Sequence, residues 1–311
     1  MQLIEGLDNI KAPFKDAVVT IGNFDGVHIG HQALFHQVIE KADSINGTSL
    51  AITFNPHPIR VLKKNGHPPL ITSYDQKVEL IERSGIDALI CIPFTLEFAN
   101  IPADKFIKDH LVQQMGMKAI IIGKDYAFGK NREGSFTMLE EYGRRLGFEV
   151  IVANWILTAN GLPRRISSTI IRKMVMDGKV AEVQQMLGRH YQIRGTVEKG
   201  RNRGGKLLGF PTANIKLFDE LCPKTGVYAV SVECRGVKYK GVANIGYSPT
   251  FDDNIYTVEV HILDFDNDIY DEMIRVNFIK RIRDEKKFSG IAELKEQIIK
   301  DADMAREIVS L

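Results

Sequence analysis

Two histidines three residues apart, His28 and His31, are the first side chains whose types and spacing could do chemistry. They follow the segment GNFDG (22–26) and stand where an amphipathic helical pattern begins near Gly30. Imidazoles at a helix N-terminus can donate hydrogen bonds to phosphate oxygens, beside free backbone N–H groups and the positive end of the helix dipole. The pair could instead bind a metal ion or be two exposed side chains. The residues before it favour phosphate chemistry.

Those preceding residues, 18–21, are apolar or β-branched and predict a buried strand. A strand, a glycine-rich turn and a helix start in succession allow the backbone to approach an anion closely. The positions of this turn predicted to bind nucleotide are Gly22, Asn23, Phe24, Asp25 and Gly30.

The segment GNFDGVHIGH (22–31) resembles the HxGH signature of the nucleotidyltransferase superfamily. The residues of this segment are similar to those of bacterial FAD synthetases, which join a riboflavin kinase to an FMN adenylyltransferase. The resemblance covers nearly the whole chain. It implies an α/β Rossmann-like nucleotidyltransferase domain, followed by an antiparallel β-barrel riboflavin kinase domain with a C-terminal helix. It also implies riboflavin, FMN and ATP as substrates, FAD as the product and Mg²⁺ as the cofactor.

The bulk composition agrees with this expectation. A chain of 311 residues with 44% hydrophobic content can form two packed domains. The net charge of +2 implies no polyanionic partner. Three cysteines without CxxC spacing favour neither a disulfide framework nor a zinc site, and suit a reducing cytosol. The first ten residues do not resemble a signal peptide, and no apolar run is long enough to span a membrane.

Apolar strands alternate with helices along the first half. This pattern predicts a mostly parallel sheet covered on both faces, with ligands at the carboxyl ends of its strands. Asn55, Pro56 and His57 follow the predicted strand 49–54. The resemblance implies that they close part of the flavin and nucleotide site. Taken alone, the turn could be only a rigid exit from the sheet.

A second glycine-rich loop, 123–134, combines acids, aromatic residues and cations after the predicted strand 118–122. Aromatic rings can stack on a flat ligand, and an arginine can bind phosphate through its fork. The loop resembles one that holds flavin and nucleotide in FAD synthetases. That resemblance implies flavin contacts by Asp125, Phe128 and Arg132, with Tyr126 in place of a commoner Phe. A simple connector remains the alternative.

The segment ISSTIIR (166–172) combines helix-capping hydroxyls with an arginine one turn later. It resembles the second nucleotidyltransferase signature. The resemblance implies that Ser167, Ser168 and Thr169 bind the phosphates of ATP and that Arg172 is a catalytic contact to the same anion. An ordinary capped helix with a surface arginine would have a similar sequence. We place the boundary between the two domains after this region, giving residues 1–187 and 188–311.

From Tyr191 onward, short β-rich pieces separated by Gly, Pro, Asn and Asp turns predict a small antiparallel barrel, and residues 291–308 predict a final helix. The segment 200–214 nearly fits a P-loop. Leu207 occupies the position of the required hydroxyl, and no helical pattern follows, which excludes that motif. A basic glycine-rich loop can still bind phosphates through its N–H groups. Its predicted phosphate contacts are Gly204, Lys206 and Gly209.

Thr212 and Asn214 are oxygen donors on the same side of an extended segment, and oxygen ligands together with phosphates suit Mg²⁺. Their segment, LGFPTAN (208–214), resembles the riboflavin kinase signature, which implies that these two residues are the Mg²⁺ ligands. A plain turn is the alternative.

Glu259 is the predicted base of the kinase reaction. Strand alternation places it with His261 and Leu263 on the face opposite the core residues Val258, Val260 and Ile262. An exposed strand glutamate would show the same pattern. The second half departs from the family in two places: Lys199 stands where His is common, and Tyr247-Ser248 replaces a more polar or basic pair.

Two other functions fit parts of the sequence. One is a monofunctional adenylyltransferase whose barrel only binds flavin. The other is a flavin-sensing regulator, for which the chain offers no basic stripe and no helix-turn-helix pattern. We expect a cytoplasmic enzyme, a monomer or weak homo-oligomer, that acts on small molecules and has no nucleic-acid or membrane partner.

Overall fold

A parallel β-sheet forms the centre of the first unit, which comprises Met1–Pro68 and Tyr74–Ile166. The computed structural model describes residues 1–63, 67–123, 126–153, 166–198, 209–217, 220–250 and 253–311. Six strands lie in the order β1-β4-β3-β2-β5-β6, and every neighbouring pair is parallel. They are β1 (Gln2–Glu5), β2 (Ala17–Ile21), β3 (Ser49–Asn55), β4 (Ala88–Pro93), β5 (Met117–Ile122) and β6 (Glu149–Val152).

Helices cover both faces of this sheet because successive strand residues point to opposite sides. In β2, Val18 packs with Phe35 and Val38, whereas Val19 belongs to the cluster that contains Ile107 and Leu111. The prediction of a parallel sheet covered on both faces is therefore confirmed. The helices are α1 (Ile29–Ser44), α2 (Pro58–Leu62), α3 (Tyr74–Glu82), α4 (Leu96–Ala99), α5 (Ala103–Lys105, continued as a π-helix over Phe106–Gln114) and α6 (Phe136–Leu146).

The order of the strands reverses beside β2. The chain passes from β2 to β3 and β4 on one side, and places β5 and β6 on the other side. In sheets of this kind, ligands bind in the crevice outside the carboxyl ends of the strands at the switch point. The loop that follows β2 is therefore at the position where the fold itself favours a ligand.

One strand of the sheet was missed by the sequence pattern. β1 pairs with β4 at the edge of the sheet, although the opening residues show no apolar run. Only Ile4 of this strand is buried, and the other three residues are exposed. A four-residue edge strand with one inward side chain has too little alternation to be recognised.

The second unit is a closed barrel with helices, formed by Ser167–Leu311 together with Pro69–Ser73. The barrel order is β10-β11-β8-β7-β12-β9, and its pairs are antiparallel, as predicted. The strands are β7 (Tyr191–Glu198), β8 (Ala213–Lys216), β9 (Gly226–Cys234), β10 (Val237–Thr250), β11 (Asp253–Ile262) and β12 (Met273–Arg283). The helices are α7 (Ser168–Met176), α8 (Val180–Leu187) and α9 (Ile291–Ile308).

The short segment Pro69–Ser73 joins this unit through backbone hydrogen bonds. The N–H of Leu221 donates to the carbonyl of Leu70 at 2.8 Å, and Nε of Arg172 donates to the carbonyl of Pro69 at 2.9 Å. Packing thus groups α7 and α8 with the barrel. The boundary between 187 and 188, which was drawn from a change of sequence pattern, stays a prediction about the two activities.

A buried ion pair fastens α9 to the barrel. Asp301 is 2% exposed, and both of its oxygens accept from Arg283 at the end of β12, at 2.7–3.1 Å. Gln297, one turn earlier on α9, donates to the same carboxylate at 3.0 Å. Charge-assisted, bidentate geometry of this kind fixes orientation as well as distance.

Replacing Asp301 with alanine should destabilise the second unit by about 3 kcal/mol, because Arg283 is left without its buried counter-charge. Calorimetric unfolding of the full chain measures the change. Asp303→Ala is the matched control: Asp303 is an exposed residue on the same helix, 3.3 Å from Arg306, and its loss should cost about 0.5 kcal/mol or less. Equal effects of the two variants would contradict a stabilising role for the buried pair.

Candidate active sites

The loop after β2 takes a conformation that most residues avoid. Phe24, Gly26 and Val27 have φ values of 47°, 87° and 37°. Such values are uncommon for non-glycine residues and rarest for a β-branched residue such as Val27, so the surrounding packing must hold the loop. The ring of Phe24 is buried against Phe35, at 4.8 Å between centroids, and meets the edge of His31 at 5.3 Å.

His28 and His31 form one unit at the start of α1. His28 is the N-cap residue, and its Nδ1 accepts the backbone N–H of His31 at 3.2 Å. The two imidazoles are stacked, with 3.6 Å between centroids and 16° between planes. A Cβ at Gly30 would lie 3.1 Å from the ring of His28, so a side chain there would press on the stack. Two stacked imidazoles at a helix N-terminus, at the switch point of the sheet, are an arrangement whose N–H donors can bind an anion.

Two further predicted segments lie on the strands that flank β2. Asn55-Pro56 is a cis peptide at the end of β3, and Nδ1 of His57 accepts the N–H of Ile59 as the cap of α2. His57 therefore has a structural role in addition to any contact with a ligand. The loop after β5 includes Phe128, a mostly buried ring that stacks on Tyr126 at 5.6 Å between centroids.

The same loop closes on itself and presents Arg132. Phe128 and Gly134 exchange two backbone hydrogen bonds, at 2.9 and 3.2 Å, and Arg132 is exposed at φ 61°. Asp125, predicted as a flavin contact, lies outside the described residues. The segments Gly22–His31, Asn55–His57 and Phe128–Arg132 thus follow three strands that are adjacent in the sheet. The sequence predicted that they follow strands of a parallel sheet, but not the order of those strands.

The second signature begins α7 and belongs to the second unit. Ser167 is the N-cap, and its Oγ accepts the N–H of Ile170 at 3.4 Å. Ser168 is half-buried, and Thr169 is exposed. The guanidinium of Arg172 is tied to the carbonyl of Pro69 through Nε. The predicted capped helix is present, and the contact with ATP stays a prediction.

A cavity of about 520 Å³ lies between the outer face of the barrel and α9. Glu259 of β11 lines it, together with Thr212 and Asn244. In the barrel register, Glu259 is directly opposite Asn214 of β8 on one side and Asn244 of β10 on the other. Residues opposite one another across strands share a face, so the register places a carboxylate between two amides.

The electrostatics of Glu259 suit a base. Its side chain is partly buried, and burial raises the pKa of its carboxyl above the usual value. Val258, Val260 and Ile262 are buried in the barrel core, which confirms the predicted face of the strand. Leu263, one residue beyond the end of β11, is buried with Ala302 and Ala305 of α9 and with Val309.

His261 holds the signature segment against the cavity. Its Nδ1 lies 2.8 Å from the carbonyl oxygen of Pro211, and its ring meets Phe210 edge to face at 5.4 Å. Since the carbonyl can only accept, this nitrogen is the protonated one. Gly209, at φ 77°, belongs to this segment, whereas Gly204 and Lys206 lie outside the described residues.

Several cavity residues were not singled out from the sequence. They are Phe210, Asn244, His261, Arg283, Glu285, Lys286, Phe288 and Asp301. Only two of them carried a usable signal: His261 follows Glu259 by two residues on the same face of β11, and Asn244 is found opposite Glu259 once the strand register is known. The others approach the cavity through the packing of α9, which no short motif encodes.

Three negative findings concern metal ions, membranes and disulfides. Within the described ranges, no group of three or more His, Cys, Asp or Glu side chains is arranged to hold a metal ion. No helix among those residues is long and apolar enough to cross a membrane. All three cysteines, Cys91, Cys222 and Cys234, are unpaired.

The fold and the two sites define the class first: a parallel α/β unit with a switch point of the kind that binds nucleotides, followed by a six-stranded barrel with its own cavity. Comparison with known proteins gives the family. The FAD synthetase family model matches residues 10–170, and the riboflavin kinase model matches residues 187–309. The chain belongs to the family of bifunctional riboflavin kinases/FMN adenylyltransferases.

Its similarity to individual relatives extends over the full length. It is 38% identical to the bifunctional riboflavin kinase/FMN adenylyltransferase of Buchnera aphidicola from Schizaphis graminum, covering 100% of both chains. It is also 38% identical to the Escherichia coli K12 enzyme of the same name, covering 100% of this chain and 99% of that one. A crystal structure described as a macrolide-efflux protein from Streptococcus pneumoniae matches with a TM-score of 0.88 and 34% identity, over 98% and 99% of the two chains.

Proposed function

We propose that the two reactions of the family take place at the two sites described above, one centred on the histidine pair at the switch point of the sheet and the other in the cavity of the barrel. Riboflavin kinase and FMN adenylyltransferase activities make the chain a bifunctional enzyme of flavin biosynthesis. The observation that carries the assignment is the presence of two separate polar constellations: the stacked histidines at the switch point, and Glu259 in the cavity of the barrel. The division between the activities falls near Gly188.

In the first reaction, the terminal hydroxyl of riboflavin attacks the γ-phosphorus of ATP. A new P–O bond forms, the bond to ADP breaks, and the hydroxyl proton passes to Glu259. The raised pKa of this carboxyl supports the assignment, because a stronger base accepts the proton more readily. The donors Thr212 and Asn214 fit Mg²⁺, which would neutralise phosphate charge there. The proposed phosphate contacts of this site are Gly204, Lys206 and Gly209.

In the second reaction, a phosphate oxygen of FMN attacks the α-phosphorus of ATP, and pyrophosphate leaves. No residue needs to become a covalent nucleophile, so the protein contributes positioning and charge stabilisation. His28 and His31 donate hydrogen bonds to the triphosphate at the start of α1. Further proposed nucleotide contacts are Gly22, Asn23, Phe24, Asp25, Gly30, Ser167, Ser168, Thr169 and Arg172. Proposed flavin contacts are Asn55, Pro56, His57, Asp125, Phe128 and Arg132.

A product assay tests the whole assignment. Purified protein is incubated with riboflavin, ATP and Mg²⁺, and the flavins are separated by chromatography over time. FMN is expected to appear before FAD, and addition of excess EDTA is expected to stop both conversions. If riboflavin stays unchanged while supplied FMN becomes FAD, the barrel only binds flavin. If neither flavin is converted, the proposed substrates are wrong.

The cellular location, the partners and the oligomeric state of the enzyme are a further part of the proposal. Its substrates are small molecules, and the three unpaired cysteines suit the reducing cytoplasm. We propose a monomer or a weak homo-oligomer without nucleic-acid partners. Light scattering coupled to gel filtration measures the mass in solution, and a mass several times 35.0 kDa at low micromolar concentration would contradict this part of the proposal.

A further inference from the structure

Lys77, on α3, is a buried lysine whose ammonium group donates three hydrogen bonds. The residue is 8% exposed. Its Nζ donates to the backbone oxygen of Asn23 at 3.4 Å, to Oγ1 of Thr53 at 3.2 Å and to the backbone oxygen of Phe54 at 3.1 Å. A lysine has three N–H donors, and each has an acceptor here. A buried charge is tolerated when it is hydrogen-bonded in this way.

The three acceptors belong to the two loops that form the proposed adenylyl-transfer site. Asn23 lies in the GNFDG loop after β2, while Thr53 and Phe54 immediately precede the Asn55-Pro56 turn after β3. Oγ1 of Thr53 also donates to the backbone oxygen of Asn23 at 3.3 Å. One ammonium therefore ties the carboxyl ends of two neighbouring strands together.

The loop after β2 needs such support. Positive φ values at Phe24 and Val27 persist only where the surroundings fix the chain. Phe24 packs on the edge of His31, so a shift of the backbone at Asn23 would be passed to the histidine pair. The hydrogen bonds of Lys77 act on the residue immediately before this strained stretch.

The charge of Lys77 has a local counterpart. Burial lowers the pKa of Lys77, while Cys91 of β4 and Asp25 of the GNFDG loop act in the opposite direction. Asp25 is itself buried, at 3% exposure. The electrostatic attraction between Asp25 and Lys77 adds to the hydrogen bonds of the ammonium group.

We propose that Lys77 is a positioning residue for adenylyl transfer: it holds the loops after β2 and β3 together so that His28 and His31 meet the triphosphate in a fixed geometry. This inference rests on the proposed function of that loop. Lys77 acts through the backbone of Asn23 and Phe54 and does not touch the substrate in this role. The sequence contains no motif that points to it.

Lys77→Met tests the proposal in the full chain, because methionine keeps the length of the side chain and removes its donors. We expect kcat for the adenylylation of supplied FMN to fall by about 30- to 100-fold, since small displacements of reacting groups have effects of that order. The KM for ATP should change by less than about threefold, and riboflavin phosphorylation by less than about twofold. Lys108→Met, an exposed lysine of the same unit paired with Asp104, is the matched control and should leave both activities unchanged.

Amide hydrogen exchange provides a readout that is independent of the substrate. Peptides covering residues 22–28 should exchange faster in Lys77→Met than in Lys108→Met, while those covering β5 stay protected. If wild-type protein makes no FAD, the proposed function fails. The exchange of 22–28 then decides the role of Lys77: faster exchange supports the positioning role, and unchanged exchange overturns it.

Thr53→Val decides the outcome if Lys77→Met does not fold. Valine has nearly the shape of threonine but removes both the acceptor of Lys77 and the donor to Asn23. We expect kcat for adenylylation to fall by about three- to tenfold, with KM for ATP nearly constant. An unchanged kcat in the folded variants, or parallel losses of both activities with faster exchange over the whole unit, would overturn the proposal.

Discussion

His31→Ala should abolish FAD formation while FMN formation from riboflavin continues. The imidazole of His31 is stacked on His28 at the first turn of α1, where the phosphates of ATP are proposed to bind. Removing a preorganised donor to a developing phosphate charge lowers kcat by about 10²- to 10³-fold. The loss of its ring also leaves Phe24 without its edge contact, which adds to the effect. Chromatography of the flavins with supplied FMN, and separately with riboflavin, measures both steps in one variant.

His36→Ala is the matched control for this experiment. His36 lies on the same helix and is exposed, 3.1 Å from Glu40, so its removal should leave both activities unchanged. Retained adenylyl transfer in a folded His31→Ala protein would contradict the assignment of the anion site. Loss of both activities would show that the histidine supports the fold of the chain and not one reaction.

Glu259→Gln should lower riboflavin phosphorylation by about 10²- to 10⁴-fold and leave the adenylylation of supplied FMN intact. Glutamine keeps the size and hydrogen-bonding shape of the side chain but cannot accept the proton of the attacking hydroxyl. Glu233→Gln is the control: this glutamate is on β9, where it lies 3.9 Å from Arg275. Loss of both activities in a folded Glu259→Gln protein would count against two separate sites.

The raised pKa of Glu259 gives this prediction a pH signature. The base must be ionised, so phosphorylation should decline as pH falls through a value above that of an ordinary glutamate. Stability changes in the other direction. Because folding raises the pKa of this carboxyl, the group stabilises the folded protein at low pH. That contribution is lost as the pH rises through the pKa of the folded state. At neutral pH, Glu259→Gln should therefore unfold at the same temperature as wild type or at a higher one.

These two variants also test the independence of the units. His31 lies in the sheet unit and Glu259 in the barrel. The FAD synthetase model ends at residue 170, and the riboflavin kinase model begins at residue 187. If FMN leaves the kinase site before it enters the adenylyl-transfer site, a mixture of the two variants should make FAD from riboflavin. Failure of such a mixture, with each variant active in its own step, would indicate direct transfer of FMN within one chain.

Much of this protein follows from its sequence because its local signals agree with one another. Continuous apolar runs, several of them ended by glycine or proline, predict buried parallel strands, and the change to short β-rich pieces after Tyr191 predicts the barrel. The chemistry is also local in part: His28 and His31 lie within one turn of helix, and Thr212 and Asn214 within one extended segment. For Glu259, the alternation of core and outward-facing residues along the strand was enough to indicate that its side chain faces away from the core.

The tertiary structure decided what depends on residues distant in the chain. Lys77 acts on residues 24 and 54 positions away, and no pattern in α3 distinguishes it from a surface lysine. The amides on either side of Glu259 become neighbours only through strand register, and Arg283 meets Asp301 only when α9 docks on the barrel. Periodicity records which face of an element is apolar. The contacts between elements, which orient charged groups and close cavities, arise from the packing of the folded chain.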